Sequence, residues 1–127
     1  MSKKLKISSN CGNSPKAQVL ITFNEAFMKN DISAILDMVE DGIQWTLVGD
    51  KEIKGKEAFE KELKSMVDFS MNSMEIFNVI THGKAAAVNG LIIGADDKVY
   101  EFCDIYTFKS AGANKIKEIR SFIILKK

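Results

Sequence analysis

Between Asn72 and Leu125 the sequence runs through four long segments separated by three short breaks. The long runs are rich in β-branched and aromatic residues, and the breaks are polar. The runs are "NSMEIFNVITH", "KAAAVNGLIIGA", "KVYEFCDIYTF" and "KIKEIRSFIIL". The breaks are "HGK", "DD" and "SAGAN", each rich in the residues that turns require. Connections this short join antiparallel neighbours, because a parallel crossover needs a dozen or more residues. The second half of the chain is therefore expected to form a four-stranded antiparallel meander.

The first half carries helical periodicity. Ser14 is placed to cap a helix and Pro15 to occupy its first position. Leu20, Phe23 and Phe27 follow at helical spacing, which predicts a helix over 15–29. Asp31 caps a second, short helix with Ile32, Ile35, Leu36 and Val39 on one side, ended by Asp41-Gly42. "IQWTLV" reads as a strand and "GDKEIKG" as a polar loop. "GKEAFEKELKSMVDF" reads as a third helix with Phe59, Leu63, Met66 and Val67 as its apolar stripe. Helices segregated from an antiparallel meander define an α+β domain. No internal repeat, low-complexity segment or interior linker interrupts it.

The 127 residues match one domain, and 46% hydrophobic content supplies a core without staples. A formal net charge of +1 leaves no electrostatic footprint for nucleic acid or an anionic membrane. No apolar run approaches the roughly 20 residues of a membrane span, and the polar start "MSKKLKISSNCGNS" lacks a signal-peptide core. A cytoplasmic location is expected. Cys11 and Cys103 lie far apart and His82 is the only histidine, so neither a metal site nor a cofactor is expected. His82 reads as an exposed turn residue. Met66, Met71 and Met74 read as core filler.

Strand parity singles out one carboxylate. Tyr100, Phe102, Asp104, Tyr106 and Phe108 share a face of "VYEFCDIYTF". Cys103 faces the other way and reads as a small hydrophobe. On the last strand Ser121 shares a face with Ile119, Ile123 and Leu125, while Phe122 and Ile124 lie on the opposite face. A strand apolar on both sides is usually buried on both, so a homodimer through the sheet face is expected. Gln44 and Thr46 share a face of the first strand and are candidates to point inward, with Trp45 on the alternate face as packing. Asn89, the one polar member of the Ala87–Asn89–Leu91 face, is a candidate partner for Asp104 or a ligand.

The paired helices ending in "KNDISAILDMVEDGIQW", the "IKGKEAFEKEL" segment and the tail "CDIYTFKSAGANKIKEIRSFI" together resemble the nuclear transport factor 2-like superfamily, in its SnoaL-like branch. That branch is similar to ketosteroid isomerase and limonene epoxide hydrolase. The resemblance implies a cone-shaped curved antiparallel sheet wrapped around three helices, the cystatin-like α+β barrel. It implies an apolar pocket at the wide end and dimers across the sheet. Residues 14–127 would form this domain, and 1–13 a flexible N-terminal tail.

Fold alone does not fix function. By this resemblance Asp104 stands where the isomerases carry an oxyanion-hole aspartic acid, a group kept protonated by an apolar surround. The isomerase tyrosine falls at Phe23 and the general base at Thr46. The Asp-Arg-Asp set of the epoxide hydrolases falls at Ala87, Asn89 and Ser121. Both chemistries therefore lose their partner groups. A SnoaL-type isomerase or cyclase working with one acidic residue remains compatible. The expected site comprises Asp104 as acid/base, with Phe23, Gln44, Thr46, Asn89, Tyr100, Phe102, Tyr106 and Ser121 around a small apolar, possibly cyclic molecule. Non-catalytic binding of such a molecule and a dimeric interaction module are the alternatives.

Overall fold

A computed structural model describes residues 4–8, 11–12, 14–66 and 71–126. In chain order it contains β1 (Lys4–Ile7), α1 (Pro15–Met28), α2 (Ile32–Asp37), β2 (Val39–Leu47), β3 (Lys51–Lys54) and α3 (Lys56–Ser65). β4 (Met71–His82), β5 (Ala85–Gly94), β6 (Val99–Phe108) and β7 (Ile116–Leu125) complete it. Seven strands form one curved, unclosed sheet in the order β1-β4-β5-β6-β7-β2-β3. The expected meander is its antiparallel centre. The flanking pairs, β1 on β4 and β2 on β7, are parallel. The class is α+β, with three helices against one face.

The helix ends follow local chemistry. Ser14 accepts from the Ala17 amide and Pro15 opens α1. Asp31 accepts from the Ala34 amide and caps α2. Between them Asn30 sits at φ 58, and the Asp31 amide donates back to Ala26 at 2.9 Å. Such a left-handed residue closes a helix by satisfying its last carbonyls. Of the stripe expected on the third helix, Phe59 and Leu63 are buried, while Val67 lies outside the described residues.

Three expectations change. Lys4–Ile7, placed in a flexible tail, forms an edge strand against Ser73–Ile76, and Leu5 packs on the core. β4 would otherwise present a row of unpaired backbone groups. "KEIK", read as loop, is β3, a short hairpin partner of β2 with only Ile53 buried. β2 starts at Val39 rather than after Gly42, and bulges away from β7 between Val39 and Gln44.

The core fills the space between the inner sheet face and the helices, with Leu20, Phe59, Tyr106 and Phe108 fully buried. Each such side chain contributes about 1.5–3 kcal/mol by leaving water. Phe23 meets Tyr106 edge-on at 6.0 Å, and Trp45 links Phe27 at 5.7 Å to Phe59 at 5.4 Å. At one end of the sheet the Lys16 ammonium donates to the carbonyls of Gly83, Ser110 and Ala111 and lies 4.4 Å above the Phe108 ring. It thereby ties the start of α1 to the β4–β5 and β6–β7 turns.

Where β4 bulges between Ile76 and Asn78, Gly90 lies opposite on β5. A Cβ at Gly90 would land on the Glu75 carbonyl oxygen, so the two backbones approach too closely for any side chain. Gly90→Ala is expected to destabilise the fold by about 1–3 kcal/mol, the range for overpacking. Chemical denaturation with an unchanged m-value would read that loss, and an unaltered midpoint would contradict the close approach.

Candidate functional site

The inner faces of β2, β4, β5, β6 and β7 meet α1 around a cavity of about 80 Å³. One water needs roughly 10–15 Å³ on such a measure, so the space takes a small molecule or one apolar arm of a larger one. Its walls are mostly apolar, with Phe23, Phe27, Trp45, Met74, Phe102 and Ile119 among them. Asp104 and Tyr106 are the only titratable side chains among the described lining residues.

Apart from Asn30, the polar side chains of the described lining form one chain of hydrogen bonds. Tyr106 Oη donates to Asp104 Oδ2 at 3.2 Å and accepts from Asn24 Nδ2 at 3.2 Å. The same Asn24 amide donates to the Leu20 carbonyl at 2.8 Å. A carbonyl only accepts, which fixes which end of the amide is the NH2. From the other side Trp45 Nε1 donates to Ser121 Oγ at 2.9 Å. Ser121 stands directly across from Asp104 in the β6–β7 register, and its hydroxyl hydrogen-bonds the carboxylate.

Burial sets the charge behaviour of this chain. Loss of hydration pushes the Asp104 carboxyl up to about 6, against the opposing pull of the Ser121 and Tyr106 hydroxyls. Burial, aided by the negative Asp104, holds the Tyr106 phenol well above its ordinary value, so Tyr106 keeps its proton and remains a donor. Asp104 is mostly ionised at neutral pH yet close enough to its midpoint to exchange a proton readily. Among the described residues no group of three or more His, Cys, Asp or Glu side chains is placed to hold a metal ion.

A model of the SnoaL-like domain matches residues 20–119. The chain belongs to the SnoaL-like domain family. Solved structures share its fold at low identity. An NTF2-like protein of unknown function from Cytophaga hutchinsonii is 23% identical, with a TM-score of 0.65 over 84% of this chain and 97% of that one. An LEH-like epoxide hydrolase from M. tuberculosis is 15% identical, with a TM-score of 0.70 over 84% and 80%. SalBIII, an epoxide hydrolase/cyclase-like enzyme, is 17% identical, with a TM-score of 0.66 over 87% and 95%. No curated sequence matches the chain.

Within this SnoaL-like domain the structure gathers Phe23, Phe102, Asp104, Tyr106 and Ser121 around the cavity. Gln44 and Thr46 do not join them. Ile43 and Trp45 take the buried side of β2, and period-2 geometry sends Gln44 and Thr46 outward. Asn89 also points away. Ala86, Val88, Gly90 and Ile92 fill the inner face of β5, and Asn89 instead accepts from Asn78 Nδ2 at 3.0 Å. Ala87 and Asn89 therefore never meet Ser121 on one face. Tyr100 shares the Asp104 face but lies roughly 13 Å along the strand, beside Gly94 and outside the cavity. Cys103 faces outward and His82 is exposed. The methionines read as filler, Met66, Met71 and Met74, line the cavity.

Two residues of this hydrogen-bond chain escape sequence reasoning. Trp45 was assigned to packing, yet its N–H anchors Ser121. Asn24 is one of two buried polar residues in the domain's described part. It occupies the i+4 position from Leu20, on the apolar stripe itself. A polar residue there was the available signal.

No helix among the described residues is long and apolar enough to cross a membrane.

Because folding raises the Asp104 midpoint from 3.8 to about 6, the folded state binds more protons than the unfolded state between those values. Stability should therefore be greatest below about pH 4 from this group and fall as pH rises to about 6. The carboxyl is half-buried, so the loss is roughly 1–3 kcal/mol. Asp104→Asn should remove this falling limb in denaturation measured across pH. Carbon-detected NMR of the Asp104 carboxyl should show a midpoint about 6, and a value near 4 would remove the basis for both expectations.

Proposed function

We propose that this SnoaL-like domain is an acid–base enzyme of isomerase or cyclase type that acts on a small apolar molecule, with Asp104 as its base. The observation that carries the reading is one carboxylate, alone among the described lining residues, at the polar end of an apolar cavity and steadied by two hydroxyl donors. A base works best with a midpoint near the operating pH, and burial brings Asp104 toward that range. Phe23 has no hydroxyl and Thr46 faces outward, so among the described residues no second base assists. One base suffices where the substrate proton is already labile. Asp104 takes that proton from one substrate atom and returns it to another, leaving no net change in oxidation state. The fold shared with SalBIII, an enzyme of pyran ring formation in salinomycin, supports the cyclase form of the reading.

A second reading concerns the outer sheet face. Ile80 is 63% and Ile124 68% exposed there, beside Ile105 and Phe122. An apolar area of this kind marks an interaction surface, and we propose a homodimer through it. Such a dimer accompanies either an enzyme or a plain binding module.

Native mass spectrometry of protein purified from its own source should find the bound molecule. Returned to fresh protein, it should be converted, at a rate that rises with pH through about 6 and is lost in Asp104→Asn. Recovery of an unconverted molecule would leave a binding module instead. Sedimentation at micromolar concentration should show a dimer that Ile124→Lys weakens, whereas a wild-type monomer would overturn the outer-face proposal.

A further inference from the structure

From the direction of every hydrogen bond at Asp104 we infer that the cavity selects neutral ligands carrying a hydrogen-bond donor, an alcohol or enol, over ketones and carboxylates, and that Asn24 and Trp45 are the positioning residues that impose this choice. The inference rests on Asp104 as the polar end of the site and names the class of molecule it receives.

Asn24 Nδ2 and Trp45 Nε1 are both donors. Each is aimed at the oxygen of a hydroxyl group, Tyr106 Oη at 3.2 Å and Ser121 Oγ at 2.9 Å. A hydroxyl has one hydrogen to give. With its oxygen already accepting, each hydroxyl directs that hydrogen onward, and both directions converge on Asp104. An indole N–H cannot accept at all, and the Asn24 amide is pinned by its bond to the Leu20 carbonyl. The polarity of the whole chain therefore runs from the periphery into the carboxylate.

The consequence for a ligand is specific. Every polar hydrogen of this chain is already committed within the protein, so a ketone oxygen beside Asp104 finds no donor in it; the Asn30 amide, the polar side chain of the described lining outside the chain, is the donor a ketone would have to reach. Asp104 offers lone pairs, so a hydroxyl finds an acceptor that is charged and poorly hydrated. A ligand carboxylate would set a second negative charge beside Asp104, in a cavity whose described lining contains no cation. Hydrogen bonds to a charged group typically change binding by tenfold or more. A site that accepts from a ligand rejects the analogue lacking the donor, because its own buried group is left unpaired.

The test uses three molecules of one size: cyclopentanol, cyclopentanone and cyclopentanecarboxylate. Binding is read at pH 7.5 from the chemical shifts of cavity amides and the Trp45 indole. Cyclopentanol is expected to bind at least about tenfold more tightly than cyclopentanone, and cyclopentanecarboxylate not to bind. At pH 4.5, with Asp104 protonated and itself a donor, the alcohol preference should shrink. Ser121→Ala removes one oxygen, takes a donor from Asp104 and frees the indole N–H toward the cavity. It should raise the Asp104 midpoint and strengthen ketone binding relative to alcohol. Trp45→Phe and Asn24→Leu should each narrow the alcohol preference in folded protein. Equal or tighter binding of the ketone at pH 7.5 would overturn the inference, as would binding of neither neutral molecule. Those results would leave the Asp104 midpoint at about 6, and the reading of Asp104 as a base, intact. A midpoint near 4 would instead strike at that reading.

Discussion

A sheet covered by helices on one face has to keep that inner face apolar, and here a single carboxylate breaks the rule. Asp104 is tolerated because its neighbours give it what water would have given. Tyr106 and Ser121 supply hydroxyl donors, and behind them Asn24 and Trp45 fix the direction of those donors. Much of the local packing follows from this need. Trp45 must face inward to reach Ser121, which turns Gln44 and Thr46 to the outside. Asn24 must interrupt the apolar stripe of α1 to reach Tyr106. The compensation is incomplete, which is why the carboxyl sits at about 6 rather than near 4.

The chain's architecture was readable because its central strands are long and strongly patterned. The runs from "NSMEIFNVITH" to "KIKEIRSFIIL" fall on β4 to β7 within a residue or two. The helix starts at Ser14–Pro15 and Asp31 carry their own capping chemistry. Elements lacking such signals were missed. β3 offers one apolar residue, Ile53, and β1 alternates lysines with Leu5 and Ile7 as exposed edge strands often do.

The site was less readable, and the failures share one physical origin. A shift of a single residue sends every side chain of a strand to the other face. β5 is apolar on both faces, so its pattern could not decide whether Asn89 or Val88 points inward. β2 bulges before Gln44, and β4 bulges twice, so Met71, Met74, Ile76 and Val79 are buried without period-2 spacing. On β6, where no bulge precedes Asp104, the inward placement of Phe102, Asp104 and Tyr106 was plain from the sequence. The partners brought in by α1 and β2 depend on tertiary packing, which no local spacing encodes.

The Lys16 clasp gives the domain a mechanical polarity. It locks the β4–β5 and β6–β7 turns to the start of α1 at one end of the sheet. The cavity lies toward the opposite end, near Met71, Ile92 and Ile123. At that opposite end the strands are held by their own ladder and the β5–β6 turn, with Met71 paired to Gly94 and Tyr100 to Leu125. The side-chain clasp and the cavity therefore occupy separate ends of one sheet, so the cation that fastens the fold takes no part in the polarity of the cavity.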